Sequence, residues 1–385
     1  MKSIFSKLLI TLFCLTWLST TNASIGIGIL TGRKKYQNSE NHTPVQIDAA
    51  KLVQSDSVKN IILFIGDGMG VAQVFAGLTA NHGKLNLEYL KHIGFSKTQS
   101  GNSYVTDSAA GATAMASGVK TYNGAIGVNM DTVKVPTILE LAEAKGLATG
   151  LVSTCGVTHA TPAAFIAHQK KRDMYESIAR DFLATDVDVV IGGGWSHFVD
   201  RMDGEDLLHV LNERGYATVT EQTEIDSVNS SKIFALMDEG HLPRMPERGD
   251  FLPNATRIAL DVLSQNENGF FLMVEGSQID WGGHKNNVKY IIDETLDFDR
   301  AIGVALEFAV KKGETLIICT ADHETGGLSL ESGDIAEGKV KADFTTSGHT
   351  GIMVPVFSNG PGAENFIGIY ENTALFEKMK KLLNL

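Results

Sequence analysis

The chain has 385 residues with 33 basic and 45 acidic side chains, a formal net charge of −12, and is 43% hydrophobic, 20% charged and 8% aromatic. That composition excludes a disordered, collagenous, coiled-coil or polytopic membrane protein, and so acidic a chain argues against a nucleic-acid partner. The length is compatible with one large α/β domain carrying excursions, the reading preferred here, or with two domains.

In chain order, Met1 to Lys7 is basic, Leu8 to Ser19 is apolar, and Thr21-Asn22-Ala23 is small and polar. This is the pattern of a secretory signal peptide over residues 1–23, and it predicts a periplasmic or secreted protein. The apolar run is shorter than the about 20 residues needed to cross a bilayer, so no stable membrane anchor is expected. Residues 24–57 read as a polar leader and 58–385 as a single domain. Of the three cysteines, Cys14 lies in the signal, and Cys155 and Cys319 are too few for a disulfide-built scaffold. Both are expected to be buried thiols.

From residue 58 onward, short apolar runs alternate with helical patterns. The strand-like runs are Ile61 to Ile65, Ala148 to Val152, Val187 to Ile191, Phe270 to Val274, Thr315 to Cys319 and Ile352 to Phe357. Apolar side chains at consecutive positions suit strands covered on both faces, as in a parallel sheet between helices. The clearest helix runs from Val288 to Lys312, with Gly313 just past its end. Others are predicted over 136–145, 174–183, 205–214 and 255–264. Two polar stretches, 220–249 and 331–346, read as surface insertions.

Ligands in doubly wound α/β proteins bind beyond the carboxyl ends of the strands, and there this sequence collects metal-ligand residue types. Asp67 follows the first run, His159 and Thr161 the second, Glu275 the fourth, and Asp322, His323 and Glu324 the fifth. Asp280 and His284, four residues apart, follow Glu275, and His349 precedes the last run. Singly, each has a bland reading: Asp67 as a turn or cap residue, and His159, His284 and His349 as structural histidines. Together at several strand ends they predict a metal centre, since that many carboxylates need a cation to offset their repulsion. Mixed His and carboxylate donors favour zinc, and carboxylates with a hydroxyl favour magnesium. Two divalent ions side by side are the usual clamp for in-line displacement at phosphorus.

A nucleophile candidate, Ser108, opens a run of small residues that predicts a close-packed helix with its N-terminal N–H groups available to an anion. Its bland reading is an N-cap. Neither a G-x-S-x-G elbow nor a Walker A loop is present. Arg172, beside Lys170 and Lys171, is a candidate for a bidentate grip on phosphate oxygens; the basic run by itself reads as a solvated face.

The motifs DGMG, VTDSAAGATA, THATPA, EGSQIDWGGH, TADHETGG and SGHT resemble those of alkaline phosphatases, especially compact cold-active bacterial members from marine and Antarctic sources. The resemblance covers the chain from about Asn60 to its C-terminus and implies a three-layer α/β/α sandwich with a largely parallel sheet. It implies a phosphomonoesterase with Ser108 as nucleophile, a phosphoserine intermediate and Arg172 as the phosphate-binding arginine. Asp280, His284 and His349 would hold one zinc, and Asp67, Asp322 and His323 a second. Glu275, Thr161 and Asp67 would form a magnesium-type third site with His159 beside them. His159 replaces an Asp of the enterobacterial enzymes, which leaves the third ion open between magnesium, zinc and another divalent cation. Trp281 replaces a Lys, and Trp281→Lys is expected to tighten phosphate binding. Phosphate monoesters and inorganic phosphate are the implied ligands, and a homodimer is common in the family. With 39 Gly and 8 Pro in 385 residues, the chain also leans toward cold adaptation. A phosphodiesterase of the same superfamily and a secreted metal- or phosphate-binding protein without turnover are the competing readings. The sulfatase route is closed, since Ser108 is followed by Ala-Ala-Gly-Ala rather than C/S-x-P-x-R.

Overall fold

A computed structural model describes residues 34–38, 42–53, 55–222 and 224–385. The expected signal peptide, 1–23, lies outside them. Fifteen strands follow in chain order: β1 (Lys35–Gln37), β2 (Asn60–Gly66), β3 (His92–Lys97), β4 (Ala148–Gly156), β5 (Val189–Gly193), β6 (Ala217–Val219), β7 (Ile233–Leu236), β8 (Phe270–Gly276), β9 (Thr315–Thr320), β10 (Glu324–Thr325), β11 (Leu328–Asp334), β12 (Lys339–Phe344), β13 (His349–Thr350), β14 (Val354–Asn359) and β15 (Gly368–Glu371). Ten of them form one sheet in the order β15-β3-β14-β9-β2-β8-β4-β5-β7-β6. Only β14 among the ten runs antiparallel to the rest.

The consecutive apolar residues of the central strands serve two cores. On β2, Ile62 and Phe64 join the cluster under the long helix Val288–Lys312, whereas Ile61, Leu63 and Ile65 join the opposite one. That second cluster is covered by the helices Ser108–Ser117, Ile138–Ala144 and Thr373–Leu382. The result is a three-layer α/β/α sandwich, as the apolar patterning and the family resemblance predict.

The long helix occupies the predicted span. Asn287 caps its start by accepting from the Tyr290 N–H at 3.2 Å, and Gly313, at φ 69°, ends it in a left-handed turn. Phe298 of this helix meets Phe64 edge-on at 5.6 Å between ring centres. Gly276 permits that approach, since a Cβ there would lie 2.7 Å from the Phe298 ring. Gly276 and Val274 face the long helix, so Glu275 between them points from the strand end to the opposite face of the sheet.

Two expectations change. The stretch 220–249 is not wholly an insertion: Ile233–Leu236 form β7, buried within the main sheet. Four apolar residues among charged neighbours are too short to stand out as a period. Residues 331–346 do lie outside the main sheet, as most of the β11/β12 hairpin. The polar leader supplies β1 to that hairpin, and His42 Nε2 sits 2.7 Å from Asp299 Oδ2 of the long helix. Its described part is therefore built onto the same body. Among the described residues no helix is long and apolar enough to cross a membrane.

Candidate functional site

Strand register brings the acidic residues together. Ile65 of β2 is level with Glu275 on β8 and with Thr320 on β9, so Asp67 and Asp322, two residues past those points, emerge at one sheet edge beside Glu275. Asp67, Glu275 and Asp322 are all essentially buried.

Ser108 is the first residue of a buried helix of small side chains. The small residues have a geometric reason: a Cβ on Gly111 would stand 3.2 Å from Asp322, so the helix lies directly against the ligand-bearing loop. Ser108 Oγ is 3.2 Å from His323 Nε2. Asp107 caps the helix by accepting from the Ala110 N–H through Oδ1 at 3.0 Å. Its Oδ2 accepts from Arg172 Nη1 at 3.0 Å and from the Gly124 N–H at 2.9 Å. The Arg172 Nη2 group also reaches His159 Nε2 at 3.2 Å.

Two histidine-carboxylate groups flank Ser108. In one, Asp280 lies 3.3 Å from His284 Nε2 and 3.5 Å from His349 Nε2. In the other, His323 Nε2 lies 3.2 Å from Asp322 Oδ2 and 3.5 Å from Asp67 Oδ1. The Nδ1 atoms of His284 and His349 face backbone carbonyls, Ser347 O at 2.6 Å and Thr106 O at 2.9 Å. That arrangement favours the Nδ1–H tautomer and turns the two Nε2 atoms, 3.2 Å apart, toward Asp280, where they could serve as donors to a metal. Thr325 joins the two groups, its hydroxyl donating to Asp280 and lying 3.2 Å from His323 Nδ1.

Burial and the neighbouring carboxylates Asp322, Asp280 and Glu275 push Asp67 well above the ordinary carboxylate range. Burial lifts Asp322 to about 6, with Asp280 adding to it, and burial raises Glu275 to about 7. Burial also depresses His159 to about 3 and His323 well below its usual value, which leaves both as neutral donors. Asp280 moves the other way: burial opposes its charge, but His284 and the other imidazoles hold it below the ordinary range. His284 is raised to about 9, chiefly by its bond to Asp280. Both oxygens of Asp67, Oδ2 of Asp322, Oε1 of Glu275, Oγ1 of Thr161 and Nδ1 of His159 are buried with no hydrogen-bond partner. Buried polar atoms left so are rare in folded proteins. Divalent cations would satisfy these oxygens and relieve the repulsion, so the residues fit a multi-ion centre.

All eleven sequence candidates thus sit at this edge: Ser108 and Arg172 at the helix head, and the nine ligand candidates around them. Glu324 does not join them. It is turned away, accepting from Gln73 Nε2 at 2.7 Å and from the Leu328 N–H at 3.0 Å. Sequence reasoning missed Asp107 and Thr325 as supports. A Thr-Asp pair just before a helix reads only as a cap, and the bridging role of Thr325 exists only after folding. Cys155, expected as a plain buried thiol, lies with His159 and Glu275 in a group whose donor atoms are within 4.8 Å of one another.

The alkaline phosphatase family model matches residues 58–343. Alkaline phosphatase 3 of Bacillus subtilis is 34% identical, over 85% of this chain and 89% of its own. The Escherichia coli alkaline phosphatase is 35% identical, over 85% and 86%. Among solved structures, the alkaline phosphatase of the Antarctic bacterium TAB5 is 44% identical, covers 85% of this chain and 98% of its own, and superposes with a TM-score of 0.81.

Proposed function

The chain belongs to the alkaline phosphatase family and is a phosphomonoester hydrolase; from that premise we propose the roles of its individual residues. Ser108 is the nucleophile. Its Oγ attacks phosphorus, the bond to the leaving alcohol breaks, and water then releases phosphate from Ser108. The observation that supports this is the Ser108 Oγ at 3.2 Å from His323 Nε2, at the head of a helix and between two groups of buried carboxylates and imidazoles.

Arg172 grips two non-transferring phosphate oxygens, aimed by Asp107. Asp280, His284 and His349 would hold one zinc ion, Asp67, Asp322 and His323 the other. Asp67, Thr161 and Glu275, with His159 beside them, would take the third ion, magnesium or another divalent cation. When bound, these ions supply the positive charge that offsets the charge developing on the phosphoryl and leaving oxygens. The helix N-terminus at Ser108 adds its own N–H groups to that field.

The remaining readings are that the chain is exported, by its N-terminal pattern, and acts in the periplasm or outside the cell. A homodimer is supported by the exposed apolar side chains Val71, Phe75 and Ile352, which line one surface depression. Cold adaptation is supported by the Gly-rich, Pro-poor composition and by the likeness to an Antarctic enzyme.

The test is hydrolysis of p-nitrophenyl phosphate from pH 7 to 11 by wild type and Ser108→Ala, before and after chelation and with zinc and magnesium restored. Alkaline activity that needs the metals and falls on the order of 10³-fold or more in Ser108→Ala is expected. Full activity in Ser108→Ala would remove it as nucleophile.

A further inference from the structure

Cys155 stands against the third ion site. It lies on β4 two residues past Ser153, which is level with Glu275 on the neighbouring β8. Its Sγ is 3.4 Å from Glu275 Oε2 and shares the 4.8 Å group with His159 and Glu275. Two further groups independently mark this spot as a ligand site: Glu275 Oε1 and Thr161 Oγ1 have no hydrogen-bond partner, and both residues are 0% exposed. The other described cysteine, Cys319, is buried in the apolar cluster under the long helix, outside any such group.

We propose that Cys155 is a donor to the third ion, so that this site has a mixed sulfur, nitrogen and oxygen shell and takes zinc, cobalt or cadmium in preference to magnesium. The proposal rests on the reading that Asp67, Thr161 and Glu275 hold a divalent ion there. Magnesium demands a near-octahedral oxygen shell and gives up its waters reluctantly. A thiol replacing one of those oxygens offers magnesium little, whereas softer ions bind thiolate strongly. On coordination the S–H bond breaks, its proton passes to solvent and a sulfur-metal bond forms, with no change of oxidation state. The competing role for Cys155 is a thiol that only donates a hydrogen bond to Glu275, leaving an oxygen site for magnesium.

Cobalt(II) separates these roles, because a thiolate ligand gives it an intense near-ultraviolet charge-transfer band that oxygen and nitrogen ligands do not. Metal-depleted full chain is titrated with cobalt while bound metal and absorption are measured together. Three cobalt ions per chain are expected, with a thiolate band that persists in Cys319→Ala and disappears in Cys155→Ala. The zinc-over-magnesium preference at this site should fall by about 10–100-fold in Cys155→Ala. Three bound ions without the band, or a band that survives in Cys155→Ala, overturns the proposal alone. Fewer than three bound ions overturns the underlying third-site reading with it. If Cys155→Ala does not fold, Cys319→Ala still decides the matter, because Cys155 is then its sole thiol outside the expected signal peptide.

Discussion

Asp107 divides its carboxylate between two jobs: Oδ1 caps the helix that begins at Ser108, and Oδ2 holds Arg172 Nη1 at 3.0 Å. The proposed nucleophile and the proposed phosphate grip are therefore indexed to one side chain. In Asp107→Ala, Arg172 loses the partner that orients its fork, so it must be ordered by the substrate itself. KM for p-nitrophenyl phosphate and the inhibition constant for phosphate should both rise about 5–20-fold, the cost of about 1–2 kcal/mol of positioning. Loss of the cap should lower stability by about 1 kcal/mol. Unchanged phosphate inhibition would mean that Arg172 is oriented without Asp107.

Thr325 links the two histidine-carboxylate groups through Asp280 and His323. Thr325→Val keeps the shape and removes the hydroxyl, so both partners lose an orienting bond. Affinity for zinc, measured by competition with a chelator, should drop about 10–100-fold, as is usual when a support of a metal ligand is removed. Wild-type zinc affinity in the variant would assign the Thr325 contact to packing alone.

Arg248 is buried against Glu294 at 2.6 Å and Asp297 at 2.7 Å, and Met245 N–H donates to the same Glu294 at 2.8 Å. These bonds fasten the return from β7 to the long helix. Just before them His241 rests edge-on against His159 and Trp281, at 5.5 and 4.9 Å between ring centres. Removing the guanidinium in Arg248→Ala leaves two buried carboxylates without their cation and should cost about 3–5 kcal/mol in urea unfolding. A loss below 1 kcal/mol would show that water or Arg300, 2.7 Å from Asp297, replaces it.

The sequence makes most of the candidate ligand set legible because those residues follow apolar runs whose parallel neighbours end at one edge, whereas His349 reaches the same edge by preceding the antiparallel β14. It hides what register and close packing decide. Ile233–Leu236 of β7 is too short for a periodic signal, and β1 finds its partner in a hairpin some 300 residues away along the chain, beyond any local pattern. Glu324 follows Asp322 and His323 and is equally acidic. Only the strand pairing of Glu324 with Thr350 and the bond from Gln73 show that it faces elsewhere. Cys155 reads as core until β4 is set beside β8, when its sulfur meets Glu275.

Glu143 makes stability depend on pH away from the site. It lies on the helix Ile138–Ala144, where Thr149 Oγ1 donates to it at 3.2 Å and the Asp186 N–H at 3.3 Å, with the carboxylates of Asp186 and Asp188 nearby. Burial pushes it up to about 7, and those two carboxylates add to the rise. The unfolded chain releases this proton near the ordinary 4.5, so between 4.5 and 7 the folded chain binds more protons and its stability falls as pH rises. Above pH 7 the full cost is present, on the order of 1 kcal/mol after allowing for the part of the side chain that water reaches. Glu143→Gln removes the charge and retains an acceptor for the Asp186 N–H. The variant should therefore unfold at higher denaturant than wild type at pH 9, with most of that difference gone at pH 5. A difference of the same size at both pH values would show that Glu143 is not protonated in the folded chain at neutral pH, and that its substitution acts through packing instead.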